Sequence, residues 1–408
     1  MVAVLITALG SWLPAFPARP VSEDGLLLGV THTQYSLDSW LPAPDREAGE
    51  RILGATPMMQ NQHLMGFGVL NPEPSPGGYD WSSLDDRMAL ISRTGGIPVL
   101  TLCCAPDWMK GGEAGTTDWS KLTDAPLPGH YADFAELAAR AAQRYPQVRY
   151  FQVWNELKGF WDETGNNWDA AGFTAFYNQV YDAVKRVRPD ALIGGPYAVF
   201  DIYADARPSG LAGPYGTVDR RVLDLYRYWN EHKHGADFVS VDASTRTKDQ
   251  GLITSPAAAS AIYADVTRWV HTLTGLPVWW AEFYPDAGAD SDQARAAATL
   301  DAVARAAEAG AAAMLLWGPQ AEDDLPYGAL WTNPAAGAVE PTSLTAAWNW
   351  LVPRLRAKQV RVVRDVPGSL LKFTDAGQTL TVNLSGSARL LREGAATVGL
   401  APFGITVG

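Results

Sequence analysis

The chain has 408 residues, with 32 Lys and Arg against 44 Asp and Glu, a formal charge of −12. Apolar residues at 47% and charged residues at 19% exclude an intrinsically disordered chain, and the acidic balance speaks against nucleic-acid binding through a basic face. Two cysteines exclude a disulfide scaffold, no apolar run reaches the ~18 residues of a membrane helix, and 16 tryptophans ask for a use beyond core bulk, such as stacking surface for a sugar.

Residues 1–25 read as a separate segment. Met1 to Leu9 is apolar, Ser11 to Pro20 is rich in Pro and Ala, the first basic residue is Arg19, and no small-x-small cleavage site stands out. Such a segment fits either a clipped export signal or an ordinary terminal extension, or it packs on a β domain. A secreted or cell-surface location and a cytoplasmic one both stay open.

From there, apolar runs rich in β-branched residues recur at Leu26–Gln34, Leu64–Leu70, Ile97–Ala105, Tyr150–Glu156, Leu192–Val199, Phe238–Ser244, Pro277–Phe283 and Ala312–Gly318. Near-continuous apolar runs are the pattern of strands buried on both faces of a parallel sheet. Helical spacing fills the gaps. Ser82–Thr94 opens on Ser82-Ser83 caps; His130–Tyr145 and Gly172–Arg188 each stop at a proline. Pro256–Leu273 and Ser291–Ala309 each end at a glycine. A first helix lies within Asp45–Gln62, interrupted by Pro57.

This alternation predicts an α/β protein, a (β/α)8 TIM barrel over 26–356. A doubly wound sheet is the rival, but no complete Gly-x-Gly-x-x-Gly follows the first strand; Gly66-Phe67-Gly68 reads as close backbone packing. Beyond Arg356 come short strand candidates at Gln359–Val363, Leu370–Thr374, Thr379–Leu384, Ala388–Leu391 and Ile405–Val407, with turns at Pro367-Gly368 and Asp375-Ala376-Gly377. They predict a small C-terminal antiparallel β domain over 357–408, too small to stand alone and docked on the barrel.

In such a barrel the chemistry sits where strands end. The runs end in His32-Thr33-Gln34, Cys103-Cys104, Trp154-Asn155-Glu156, Asp242, Glu282 with Tyr284 just beyond, and Trp317. A carboxylate closing an apolar run is expensive unless used or paired. The structural alternative for Glu156 and Glu282 is a pair of carboxylates bonded to amides or arginine. As a functional pair they suit glycosidic cleavage, in which one carboxyl protonates the leaving oxygen and the other attacks the anomeric carbon. A separation of roughly 5–5.5 Å means retention; ~6.5–9.5 Å means inversion.

Trp154-Asn155-Glu156 on strand four with Glu282 on strand seven resembles the retaining (β/α)8 glycoside hydrolases. The stretch from Asn71 through Tyr79-Asp80-Trp81 to Asp85, followed by Gly96-Ile97-Pro98-Val99-Leu100 and Ala105-Pro106-Asp107-Trp108, is similar to family 39, the β-xylosidase-like group. The resemblance implies Glu156 as acid/base, Glu282 as nucleophile, Asn155 on the sugar 2-hydroxyl and Trp317 as a platform under the reacting sugar. It implies no cofactor. Members usually carry Pro where this chain has Leu157, and His or Tyr near the end of strand six where it has Asp242.

Substrate-binding candidates are therefore Asn155, His32, Trp108, Trp161, Asp242, Tyr284 and Trp317, with Trp331 as a further sugar subsite. His32 reads equally as a structural histidine. Cys103-Cys104 reads as two buried free thiols, with a vicinal disulfide as the alternative. His232-x-His234 lacks a third ligand and reads as a solvated helix end, so no metal is expected. Long connections at Asp107–Pro128, Leu157–Ala171, Phe200–Thr217 and Pro319–Pro341 shape the site; the last holds Glu322, Asp323, Asp324 and Tyr327. The partner expected is a neutral oligosaccharide or polysaccharide, with no nucleic acid and no membrane; the oligomeric state is unreadable. A catalytically idle sugar-binding barrel, an endo-acting glycanase with a non-xylan substrate and a barrel lyase or metal-assisted hydrolase are the alternatives.

Overall fold

A computed structural model of the chain describes residues 25–38, 40–288, 291–322, 327–365, 368–393 and 396–408. The N-terminal segment 1–24, Asp323 and Asp324 of the loop after the eighth strand, and Pro367 lie outside the described residues.

Eight parallel strands close into a barrel: β1 Leu27–Thr31, β2 Met59–His63, β3 Ile97–Leu102, β4 Tyr150–Val153, β5 Leu192–Val199, β6 Phe238–Asp242, β7 Val278–Phe283 and β8 Ala313–Trp317. Each pairs with its sequence neighbours, and β1 closes on β8 through Leu27–Ala313 to Thr31–Trp317. Around them run α1 Ala43–Leu53, α2 Ser82–Arg93, α3 Tyr131–Arg144, α4 Ala170–Val187, α5 Arg220–His232, α6 Pro256–Thr274, α7 Asp292–Ala309 and α8 Thr345–Arg356. The expected (β/α)8 barrel is the architecture observed.

The second strand is a correction. The apolar run Leu64–Leu70 lies beyond it, and the strand itself is Met-Gln-Asn-Gln-His, every residue buried. Its place in the sheet follows from a belt of side-chain hydrogen bonds across the barrel. Asn61 Nδ2 donates to Thr31 Oγ1 (3.2 Å), and Thr31 Oγ1 donates to the Ala281 carbonyl (2.9 Å). Thr101 Oγ1 donates to Asn61 Oδ1 (2.9 Å), Gln152 Nε2 to Thr101 Oγ1 (3.2 Å) and Ser240 Oγ to Gln152 Oε1 (2.8 Å). Each buried polar group so paired avoids a desolvation cost of ~1–3 kcal/mol.

Strand alternation stacks the interior in layers. Leu27, Met59, Val99, Phe238, Trp279, Ala313 and Leu315 form an apolar floor. The belt lies above it; two residues beyond Asn61 and Ser240 come His63 and Asp242, and Trp317 pairs in register with Thr31. Gly66, Phe67 and Gly68 all take positive φ. A Cβ on Gly68 would fall 1.8 Å from Arg87 Nη2, which is the close packing expected there.

Beyond the barrel, β9 Arg361–Arg364, β10 Leu370–Asp375, β11 Gln378–Asn383 and, last in the chain, Ile405–Val407 form a four-stranded antiparallel sheet. Arg389–Glu393 and Ala396–Leu400 make a separate hairpin, its second strand unanticipated. Arg364 ion-pairs with Asp301 of α7, and Arg354 of α8 with Asp375 at 3.1 Å, so charge links the sheet to the barrel. No helix among the described residues is long and apolar enough to cross a membrane.

Candidate active site

Strand β4 leads into a tight turn. Trp154, Glu156 and Leu157 take φ of 69°, 48° and 50°, the left-handed region that costs a non-glycine residue roughly 1–2 kcal/mol. Packing overrides that cost. Trp154 is wholly buried against Phe134, Phe160 and Phe176, and Leu157 is buried too. The Lys158 amide donates to the Asn155 carbonyl (3.1 Å), and Trp154 Nε1 donates to the Lys158 carbonyl (2.7 Å). The chain therefore curls back, and Lys158 Nζ ion-pairs with Glu156 Oε2. A proline, fixed near φ −65°, has no place at position 157 in this turn.

Glu156 meets two other carboxylates. One oxygen each of Glu156, Asp242 and Glu282 lie within 4.8 Å of one another. Asp242 is wholly buried and Glu282 nearly so. Tyr284 Oη donates to Asp242 Oδ2 at 2.8 Å, whereas Asp242 Oδ1, Glu282 Oε1 and Asn155 Oδ1 meet no partner among the described residues. Burial, then the charges of Glu156 and Glu282, hold the Asp242 carboxyl well above the usual range. Burial, then Glu156, does the same to Glu282, with Lys158 pulling the other way. Lys158 loses some of its basicity to burial but gains more from the three carboxylates, so its ammonium is held more firmly than usual. This set is spaced to receive a cation as well, and Lys158 already supplies one.

A cavity of about 410 Å3 opens beside Glu156, lined among others by Lys158, Trp168, Arg246, Lys248 and Tyr284. Arg246 pairs with Asp286 (2.5 Å) and Lys248 with Asp201 (3.2 Å). Trp161 stands edge-on to Trp168, their centroids 5.1 Å apart, with the Arg221 guanidinium 4.8 Å from its own ring centroid. Trp317 ends β8 half-buried, edge-on to Phe67.

The cluster thus gathers Glu156, Asp242, Glu282 and Tyr284, with Asn155 next to Glu156. The contacts of other candidates lie elsewhere. His32 is wholly buried and hydrogen-bonded to Gln60 Oε1 (3.1 Å). Trp108 donates Nε1 to the Glu73 carbonyl (2.9 Å) and stands edge-on to His130. Trp331, expected in a sugar subsite, is wholly buried and fills the loop after β8. Trp280 packs outward on α6, donating to Thr267 Oγ1 (3.0 Å). Cys103 and Cys104 are not free thiols: they are joined as a vicinal disulfide, both buried. His232 and His234 are exposed, bonded to the Tyr228 carbonyl and Asp182.

Three residues of the site were not anticipated. Lys158 depends on the left-handed turn, which no local pattern announces. Tyr197 of β5, its hydroxyl raised well above its ordinary pKa by burial and then by Glu282, sat unnoticed inside an apolar run. His63, flanked by Asn155, belongs to the strand that polar residues concealed.

No protein-family model and no curated protein match the chain. Solved structures do. A glycoside hydrolase family 39 (GH39) enzyme from Xanthomonas axonopodis pv. citri matches at TM-score 0.60 and 18% identity, over 91% of this chain and 72% of that one. A family 39 glycoside hydrolase from the gut symbiont Bacteroides cellulosilyticus WH2 matches at 0.58 and 15%, over 92% and 74%. A GH39 β-xylosidase from Caulobacter crescentus matches at 0.58 and 17%, over 90% and 79%. At these identities the likeness establishes a shared fold: the chain has the barrel architecture on which these glycoside hydrolases are built.

Proposed function

We propose that the chain is a retaining glycoside hydrolase that cleaves O-glycosidic bonds of a neutral glycan by double displacement. The observation that carries this reading is the convergence of Glu156 and Glu282 from the ends of β4 and β7, with carboxylate oxygens within 4.8 Å. An upper bound of 4.8 Å between these oxygens is short of the ~6.5–9.5 Å that leaves room for an inverting water, which favours retention. The fold shared with structures described as glycoside hydrolases supports it.

Glu282 attacks the anomeric carbon as the bond to the leaving oxygen breaks, and Glu156 protonates that oxygen. Water then attacks the glycosyl ester, Glu156 takes its proton, and Glu282 leaves. Lys158, near Glu282 as well as on Glu156, favours an ionised nucleophile. Asn155 is positioned next to the acid/base for a sugar hydroxyl. The cavity beside Glu156, with the half-buried Trp168 on its wall, suits the leaving-group side.

The test is turnover of a panel of activated aryl glycosides, starting with β-xyloside because one neighbour is described as a GH39 β-xylosidase. Glu156→Gln and Glu282→Gln should each collapse kcat. Near-wild-type activity in either variant overturns the assignment, and tight sugar binding without turnover by the wild type points to a binding protein instead.

A further inference from the structure

The site holds one carboxylate more than double displacement uses. Asp242 stands where strand six delivers it into contact range of both functional carboxylates, and Tyr284 Oη caps only one of its oxygens. Among the described residues, Lys158 is a cation whose charge meets all three carboxylates, and its ion pair is with Glu156. Lys158 sits on the carboxyl that must carry a proton to act as the general acid. Three carboxylates this close, two of them buried, do not all ionise readily around one ammonium, so the cluster retains a proton.

Resting on the glycosidase reading above, we infer that Asp242 and Glu156 hold the transferable proton jointly, with Asp242 a positioning residue that keeps it in the site while Lys158 sets the pH at which the pair releases it. The balance is simple. The pair's single proton leaves through Glu156 to the glycosidic oxygen as its bond to the anomeric carbon breaks and the Glu282 ester forms. Both carboxylates are then ionised beside Lys158, and Glu282 is neutral as an ester. Attack by water returns one proton to the pair and frees Glu282 as a carboxylate.

The other titratable and charged groups that face the pair come from several elements. Tyr197, Tyr226, Tyr263 and Tyr284 are held protonated by burial, and Tyr327 is shifted the same way. Asp201, near Glu156, is raised by burial and countered by Lys248. Glu282 and Lys158 face it too, as do Arg246 and Lys248, which line the cavity with Glu156, and His63, lowered by burial to about 3.

The signs follow. Removing Asp242 removes the repulsion that keeps the proton, while the Lys158 pair remains, so the pair's release moves to lower pH. Removing the ammonium does the reverse.

The experiment is the pH profile of kcat/KM on an activated aryl glycoside. Asp242→Asn should move the alkaline limb down by about one pH unit or more, Lys158→Met should move it up, and Asp242→Glu should restore the wild-type limb. Limbs that superimpose on the wild type after scaling overturn the inference, even if kcat falls. A second arm needs no activity. At neutral pH the wild-type protein should show the infrared band of a neutral carboxylic acid, lost in Asp242→Asn and kept in Glu282→Gln. A band unchanged in Asp242→Asn also overturns it. Absence of any glycoside turnover by the wild type would instead count against the proposed function, leaving the infrared arm to decide the shared proton.

Discussion

Trp154 Nε1 donates to the carbonyl of Lys158 at 2.7 Å, so the residue two before Glu156 holds in place the residue two after it. The bond closes a turn in which Glu156 and Leu157 are left-handed, and that turn is what brings the ammonium onto the carboxylate. A rule about substitution follows. At most buried leucines alanine is a milder change than glycine, because glycine carries extra backbone entropy. At Leu157 the order should reverse: Leu157→Gly, relieved of the left-handed penalty, should be more stable than Leu157→Ala by about 1 kcal/mol. Leu157→Pro should be the worst of the three, losing ~3 kcal/mol or more. Urea denaturation midpoints rank them, and an alanine variant more stable than the glycine variant contradicts the turn.

The carboxylates of the site cost stability that their amides should recover. Burial raises the folded-state pKa of both Asp242 and Glu282 above their unfolded values near 3.8 and 4.5. A group raised in this way contributes stability that is full below the unfolded pKa and lost as pH rises through the folded one. At neutral pH the wild type has lost part of that contribution. Asp242→Asn and Glu282→Gln should therefore melt higher than wild type at pH 7, by roughly 2 °C, while activity falls. The gain should shrink on acidification. Scanning calorimetry at two pH values checks both the sign and its trend.

Most of the barrel was legible because seven of its strands are apolar enough to read as runs between capped helices. The second strand escaped for a physical reason. Gln60, Asn61, Gln62 and His63 are all buried, and only the assembled barrel shows that Thr31 and Thr101 flank Asn61 and that Thr94 receives Gln60. The proposed catalytic pair drew notice for the opposite reason: a glutamate ending an apolar run has no local excuse. Asp242 was visible as a strand end, but its bond to Tyr284 spans two strands. Lys158 was invisible, because its direction is decided by two left-handed residues that Trp154 and the packing of Leu157 enforce.

His32 and His63 should make the fold acid-sensitive. Burial lowers each to a pKa of about 3, with Arg87 assisting at His32. Both are neutral in the folded protein across the physiological range. For a base depressed below its unfolded value of 6.5, the stability is present above pH 6.5 and lost as pH falls toward 3. The limiting slope is roughly 1.4 kcal/mol per pH unit for each histidine. A His32→Asn/His63→Asn double variant should lose less stability than wild type between pH 6 and about 4. The difference between their unfolding free energies at each pH isolates the histidines, since the buried carboxylates contribute equally to both. Parallel curves would mean that the two rings are protonated in the folded state.

The tryptophan surplus divides between core and site, and the division is measurable. Trp331 is wholly buried, its Nε1 3.4 Å from Gln320 Oε1. Trp168 is half-buried on the wall of the cavity beside Glu156 and braced edge-on by Trp161. Trp331→Ala should cost ~3–5 kcal/mol of stability, the range for truncating a large core aromatic, with KM close to wild type. Trp168→Ala should cost less stability. It should raise KM for an oligosaccharide about three- to tenfold, the worth of one stacked ring at ~0.5–1.5 kcal/mol. Denaturation and steady-state kinetics on the same two variants decide it: a KM change at Trp331 with none at Trp168 would move the sugar-binding surface to the loop after β8.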